Sequence, residues 1–261
     1  MRTVPGRREG RADGTRAGAD GEDRAVRQGF MLAALIGAAW LSIHVGCIFF
    51  WRWSAASAPL AATLILLQAW LSTGLFIVAH DCMHGSLAPG RRRINTAIGT
   101  MCLGAYAGLS YRALATKHHA HHRAPGTPTD PDFHTAAPRR LLPWFIAFVR
   151  SYYTHGQLIR ITVAALVYLA LGASLANIVA FWAVPALLAL AQLFVFGTYL
   201  PHRHEDAPFA DHHNARSNAL SPVLSLLTCF HFGAYHHEHH LSPGTPWWRL
   251  PRFRIARQGP R

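Results

Sequence analysis

Charge is scarce in this chain of 261 residues. Asp, Glu, Lys and Arg make up 14% of it, against about a quarter in an ordinary soluble domain, while 51% is hydrophobic. Such a composition cannot cover a soluble surface with ions, and it points to a membrane body. Acidic residues number only twelve, unevenly placed. Five lie in the first 23 residues; the other seven (Asp81, Asp130, Asp132, Glu205, Asp206, Asp211 and Glu238) lie inside or close to clusters of histidine. The four cysteines, Cys47, Cys82, Cys102 and Cys229, form no C-x-x-C pair, which argues against a disulfide framework or a thiolate zinc site. The E-x-x-H motifs of soluble di-iron bundles are missing as well. A formal net charge of +13 raises nucleic acid as a partner. The arginines, however, flank apolar spans and form no aromatic-interleaved stripe, so none is expected.

Histidine is what the chain has in excess, 18 in all. Three boxes hold eight of them in metal-ligand spacing: His80 and His84 at i and i+4, then His118, His121 and His122, then His236, His239 and His240. On a helix, positions i, i+3 and i+4 share one face, so each box presents its imidazoles together. His202, at the mouth of a later apolar span, is the ninth candidate, with His204 competing for the role. His119 and His237 fall off the shared faces and are expected, like His204, beside the site and not in it. Asp81, Asp130, Asp132 and Glu238 are placed to accept hydrogen bonds from ring N–H groups, which orients a ligand and raises its basicity. Asp211 has a weaker claim to that role. His134, His155, His212, His213 and His231 read as polar-face residues, and His44 as a polar residue packed against a neighbouring helix. Nine nitrogens are too many for one ion. Two irons in an open, nitrogen-rich sphere suit O₂ activation.

The spacing of apolar runs sets the expected architecture: all-α and integral to a membrane, with four transmembrane helices, a cytoplasmic histidine-rich di-iron cap, and interfacial or re-entrant helices. Residues 1–27 are expected to be a disordered basic tail and residues 28–261 the membrane domain. The spans fall at about 30–51, 60–79, 161–175 and 178–200, with Pro185 as a possible kink in the last. The segment 94–111 is long enough to cross, but a crossing would put the first two boxes on opposite sides of the membrane. It is therefore read as entering without crossing, and 141–158 as lying at the interface. Arg and Lys crowd residues 1–27, 91–93, 112–123, 139–160, 203–216 and 249–261, whereas the two hairpin tips hold only Arg52. By the positive-inside rule both termini and all three boxes face the cytoplasm. A histidine-rich metal transporter would need ionisable residues at the membrane midplane, where His44 is the only histidine.

Several stretches around the boxes carry a family resemblance. They are His80-Asp-Cys-Met-His84, Pro125-Gly126 with Asp130-Pro-Asp-Phe133, Phe196-Gly-Thr-Tyr-Leu-Pro-His202, and Pro246-Trp-Trp-Arg-Leu250. Over roughly residues 30–251 the chain resembles the bacterial β-carotene 4-ketolases of the membrane fatty-acid desaturase/hydroxylase superfamily. The boxes alone specify only the superfamily; the stretches around them narrow it to the ketolases. The resemblance implies a non-haem di-iron oxygenase of the bacterial inner membrane that acts on a carotenoid held in the bilayer. It also implies O₂ as co-substrate and electrons from an external donor protein such as ferredoxin. Two hydroxylations at C4 of a β-ionone ring followed by loss of water would take β-carotene through echinenone to canthaxanthin, and zeaxanthin towards astaxanthin. A carotenoid 3-hydroxylase or a fatty-acyl desaturase shares the boxes and is the competing expectation. The sequence departs from the related desaturases and hydroxylases at Thr198, where they carry Asn four residues before the histidine at the position of His202.

Overall fold

The computed structural model describes residues 10–258, with side chains from residue 23 onward. Every regular element among them is helical. Helix α1 (Gly10–Phe50) is followed by α2 (Ala58–His84), which starts with Pro59 in its first turn and ends at Gly85. Gly85 has φ +70°, and its N–H bonds the carbonyls of Asp81 and Cys82, the left-handed stop that glycine adopts without strain. That stop fixes where the chain turns after delivering His80 and His84. Helix α3 (Arg92–Ala107) packs back along α2, and α4 (Tyr111–Arg123) starts at Ser110, whose Oγ accepts from the Ala113 N–H. The α3–α4 corner is close: a Cβ at Gly99 would stand 2.2 Å from the Tyr111 ring.

Helices α5 (Leu141–Tyr152) and α6 (His155–Ala170) replace the single interfacial helix expected over 141–158. The break falls at Thr154, whose hydroxyl caps α6 by accepting from the Gln157 N–H. Helix α7 (Leu175–His202) runs through Pro185, with two wide turns at Val179–Ala183 and Val195–Tyr199. In each, an N–H reaches back five residues, from Val184 to Val179 and from Leu200 to Val195. Both wide turns lie just before a proline, Pro185 and Pro201. A proline lacks the N–H for an i−4 bond and crowds the preceding turn, and widening that turn relieves both problems. Short helices α8 (Pro222–Cys229) and α9 (His236–Leu241) and a last helix α10 (Leu250–Gln258) complete the chain.

Three helical stretches are long and apolar enough to cross a membrane: Asp23–Phe50, Ala58–His84 and Leu175–His202. The fourth expected span, at about 161–175, instead belongs to the 16-residue α6, which is short for a bilayer. Residues 10–27, expected to lack structure, continue α1, while residues 1–9 lie outside the described residues. Local packing accounts for the continuation in part. Val26 is buried, and a Cβ at Gly29 would stand 3.0 Å from the Leu87 carbonyl and from the Trp248 ring.

Polar side chains tie the long helices to one another. Trp40 donates to Ser72 Oγ at 3.0 Å, Thr73 to Gln192 Oε1 at 2.8 Å and Trp53 to Asn177 Oδ1 at 2.7 Å. Such bonds hold helices where lipid offers no hydrophobic drive to associate. His44 belongs to this set: it is buried, stacked on Trp40 and 3.0 Å from the Tyr168 hydroxyl. Leu35, Leu66, Leu166 and Leu187 face outward, as a lipid-facing belt requires.

Candidate metal centre

The three boxes meet at one end of the helical body. The end of α2 brings His80 and His84, α4 brings His118, His121 and His122, the end of α7 brings His202, and α9 brings His236, His239 and His240. The nine imidazoles sort into two groups. His80, His84, His118, His122 and His239 form one; His121, His202, His236 and His240 form the other. Within each, one ring nitrogen per residue lies within 4.8 Å of all the others. Nitrogens on opposite sides of one ion at about 2.1 Å stand about 4.2 Å apart, so each group is close to the size that surrounds a single ion.

The donor chemistry fits metal. Nε2 atoms face each other at 2.7 Å for His84 and His118, 3.0 Å for His122 and His239, 2.9 Å for His202 and His236, and 3.1 Å for His236 and His240. In a neutral imidazole only one nitrogen carries hydrogen. His121 Nδ1–H donates to Asp130 at 2.9 Å and His202 Nδ1–H to the Asn214 carbonyl at 2.7 Å. In their neutral forms both therefore turn a bare Nε2 lone pair inward. Burial, then repulsion from neighbouring imidazoles, holds His118, His236, His239 and His240 well below the usual histidine range. They are neutral at pH 7, the form that binds a metal ion.

Asp130 anchors the second group. Beside the His121 bond it accepts from the N–H groups of Gly126 at 2.7 Å and Asp132 at 2.8 Å. Burial alone would raise its pKa; the His121 hydrogen bond and the two backbone donors outweigh that and hold it below the usual range. For His121, burial lowers and the bond to Asp130 raises, and the balance is upward. Asp132 takes the opposite course from Asp130, pushed up chiefly by burial.

Other expected neighbours stand elsewhere. Asp81 lies 3.9 Å from His80 Nδ1, too far for a hydrogen bond, and accepts instead from the Trp247 N–H at 3.2 Å. Glu238 meets no imidazole nitrogen: Arg254 of α10 bonds it at 2.6 and 2.9 Å, and Ser217 donates to it. The side chain of Glu238 leaves α9 towards a cation 16 residues further on. His204 sits beside Phe133 and Phe209, in neither group. His119 donates to the Met83 carbonyl at 3.1 Å. His237 and His213 both donate to Asp211, at 2.8 and 3.0 Å, in a separate cluster at the surface. The acceptor for His202, the Asn214 carbonyl, was missed because a backbone oxygen leaves no mark in sequence.

A cavity of about 640 Å³ opens beside the two groups. Its walls are mostly apolar, among them Phe76, Met83, Phe148, Trp182 and Leu190, and it reaches His80, His118, His121 and His236. Thr198 lines it too.

A family model described as fatty acid desaturase matches residues 56–162 and 150–261. A β-carotene ketolase of Paracoccus sp. (strain N81106) is 50% identical over 218 residues, which cover 83% of this chain and 88% of that protein. A β-carotene ketolase of Paracoccus sp. (strain PC1) is 49% identical over 233 residues, 89% of this chain and 93% of that one. A zeaxanthin 4-ketolase of Chlamydomonas reinhardtii is 37% identical over 247 residues, 88% of this chain and 54% of that protein. The stretches matched by the family model contain all nine converging histidines.

Proposed function

The chain belongs to the fatty acid desaturase family and, within it, to the β-carotene ketolases, and from that premise we propose how it acts. It is an oxidoreductase that puts keto groups at C4 of β-ionone rings, taking β-carotene to echinenone and canthaxanthin and zeaxanthin towards astaxanthin. Two irons, one in each histidine group, would supply O₂ activation with two electrons per turnover from an external protein donor such as ferredoxin. His80, His84, His118, His122 and His239 would hold one, and His121, His202, His236 and His240 the other.

What supports the reading most is a single juxtaposition: the mostly apolar cavity reaches members of both groups. A carotenoid in the bilayer offers a terminal ring, and the cavity lets that ring reach the metals while the polyene stays among apolar side chains. The chain's own residues fix the geometry. Asp130 and the Asn214 carbonyl hold the rings of His121 and His202, and the cavity wall keeps water from the allylic C4–H bond. Each oxygenation inserts one oxygen atom at C4 and reduces the other to water with the two electrons and two protons. The second leaves a geminal diol, which loses water to the ketone.

Four crossings carry this arrangement, with α6 as the short one in a bilayer that thins to match it. Helix α3 enters without crossing. Both termini face the cytoplasm of the inner membrane, because the basic residues avoid the tips near Ala56 and Gly172. Pigment analysis of a β-carotene-accumulating bacterial host tests the function. Echinenone should appear first and canthaxanthin later, with no zeaxanthin. Accumulation of zeaxanthin would move the chain to the 3-hydroxylases, and altered acyl-chain unsaturation with untouched carotenoid to the desaturases.

A further inference from the structure

We infer that Tyr152 and Asp132 form a hydroxyl-binding subsite that holds the oxygen added in the first oxygenation and keeps the ring in place for the second. The inference rests on the ketolase reading above and names what in this chain makes one oxygenation lead to another.

The pair stands out from the wall it belongs to. Among the described residues lining the cavity, Asp132 is the one carboxylate. Two other polar residues there are committed to the backbone: the Tyr106 hydroxyl donates to the Ala186 carbonyl at 3.0 Å, and Gln157 to the Ala107 carbonyl at 2.9 Å. The Tyr152 hydroxyl is committed differently. It donates to Asp132 Oδ1, which leaves the lone pairs of Oη to accept from something else. Both residues are held from behind. The Asp132 N–H donates to Asp130 at 2.8 Å, and the Asp132 carbonyl accepts from Trp144 Nε1 at 2.7 Å. Lys117 stands 4.7 Å above the Tyr152 ring and is itself fixed by Ser151. The pair also lies at the metal end of the cavity, with Asp132 Oδ2 3.8 Å from His121 Nδ1.

A hydrocarbon ring has nothing to bond to such a pair. The alcohol formed at C4 has, since a hydroxyl in an apolar cavity needs an acceptor. A site that hydrogen-bonds a hydroxyl discriminates strongly in favour of the molecule that carries it. The once-oxygenated ring is thereby retained, while the hydrocarbon enters and turns freely.

The test is the ratio of 4-hydroxy to 4-keto rings made from β-carotene by the full-length chain and by Tyr152→Phe and Asp132→Asn, expressed in the same host. The ratio is internal to each variant and does not depend on how much protein folds. Tyr152→Phe should raise it roughly five- to tenfold, the weight of one hydrogen bond. Asp132→Asn should move it the same way but less far, because the Tyr152 hydroxyl then donates to a neutral and weaker acceptor. A lower yield at an unchanged ratio would overturn the subsite and leave the pair a packing role. Loss of all product from both variants, with the protein still inserted in the membrane, would overturn it as well. Absence of any oxygenated ring from the unaltered chain would instead remove the ketolase reading itself.

Discussion

Asp130→Asn tests the metal centre through a residue that stands outside both histidine groups and hydrogen-bonds a member of one. Three donors converge on the two carboxylate oxygens of Asp130: His121 Nδ1–H, the Gly126 N–H and the Asp132 N–H. Asparagine has the same shape but only one acceptor oxygen, and its NH₂ must face at least one of those donors. One buried N–H is then left unpaired, which costs about 1–3 kcal/mol. If it is the His121 ring, the imidazole loses the partner that fixes its tautomer, and metal affinity should fall about 10- to 100-fold. The pH dependence has a definite sign. The Asp130 carboxyl is held below its ordinary value, so its contribution is complete above the unfolded carboxylate pKa of about 3.9 and fades as pH falls through the lower folded value. The variant has no ionisation there and loses that acid limb. Competition with a chelator, followed by metal analysis of the detergent-solubilised protein, measures the affinity; thermal unfolding from pH 6 down to pH 2 measures the limb. Metal retention equal to that of the unaltered chain would refute the reasoning, because Asp130 would then not be orienting a ligand.

The purified chain should carry about two irons, and His121→Ala or His240→Ala should abolish both metal and activity, whereas the exposed His212 should tolerate alanine; one tightly held zinc with chelator-insensitive activity would contradict this. Reporter fusions near Ala56 and Gly172 should face the periplasm, and fusions after Arg93 and after Pro138 the cytoplasm. Opposite locations for the last two would mean that α3 crosses.

The histidines were legible in the sequence because their meaning is periodic. Spacings of three and four residues place side chains on one helical face whatever the tertiary structure, and the three boxes converge as that spacing suggests. His202 was legible from its place at the mouth of a span. The carboxylates were harder, since a side chain near a histidine in sequence can turn to any partner. Asp130 faces His121 because the loop after α4 folds back on it, whereas Glu238 turns to Arg254 and Asp81 to a backbone N–H. The break at Thr154 was signalled by a hydroxyl able to cap, but hydropathy averaged across it and merged two helices into one. The wide turns of α7 were legible only as two prolines. Whether a helix kinks or widens at a proline depends on what packs beside it.

The two groups are interleaved along the chain. His121 and His122 are consecutive on α4, yet each belongs to a different group, and His239 and His240 on α9 divide in the same way. The groups therefore cannot be filled as separate modules. An ion in one would fix imidazole orientations on two helices that the other also uses, so its partner would enter a site already partly ordered. That favour is mutual and equal in both directions. Binding in the two groups would then be positively cooperative, with less half-loaded protein than independent sites would give.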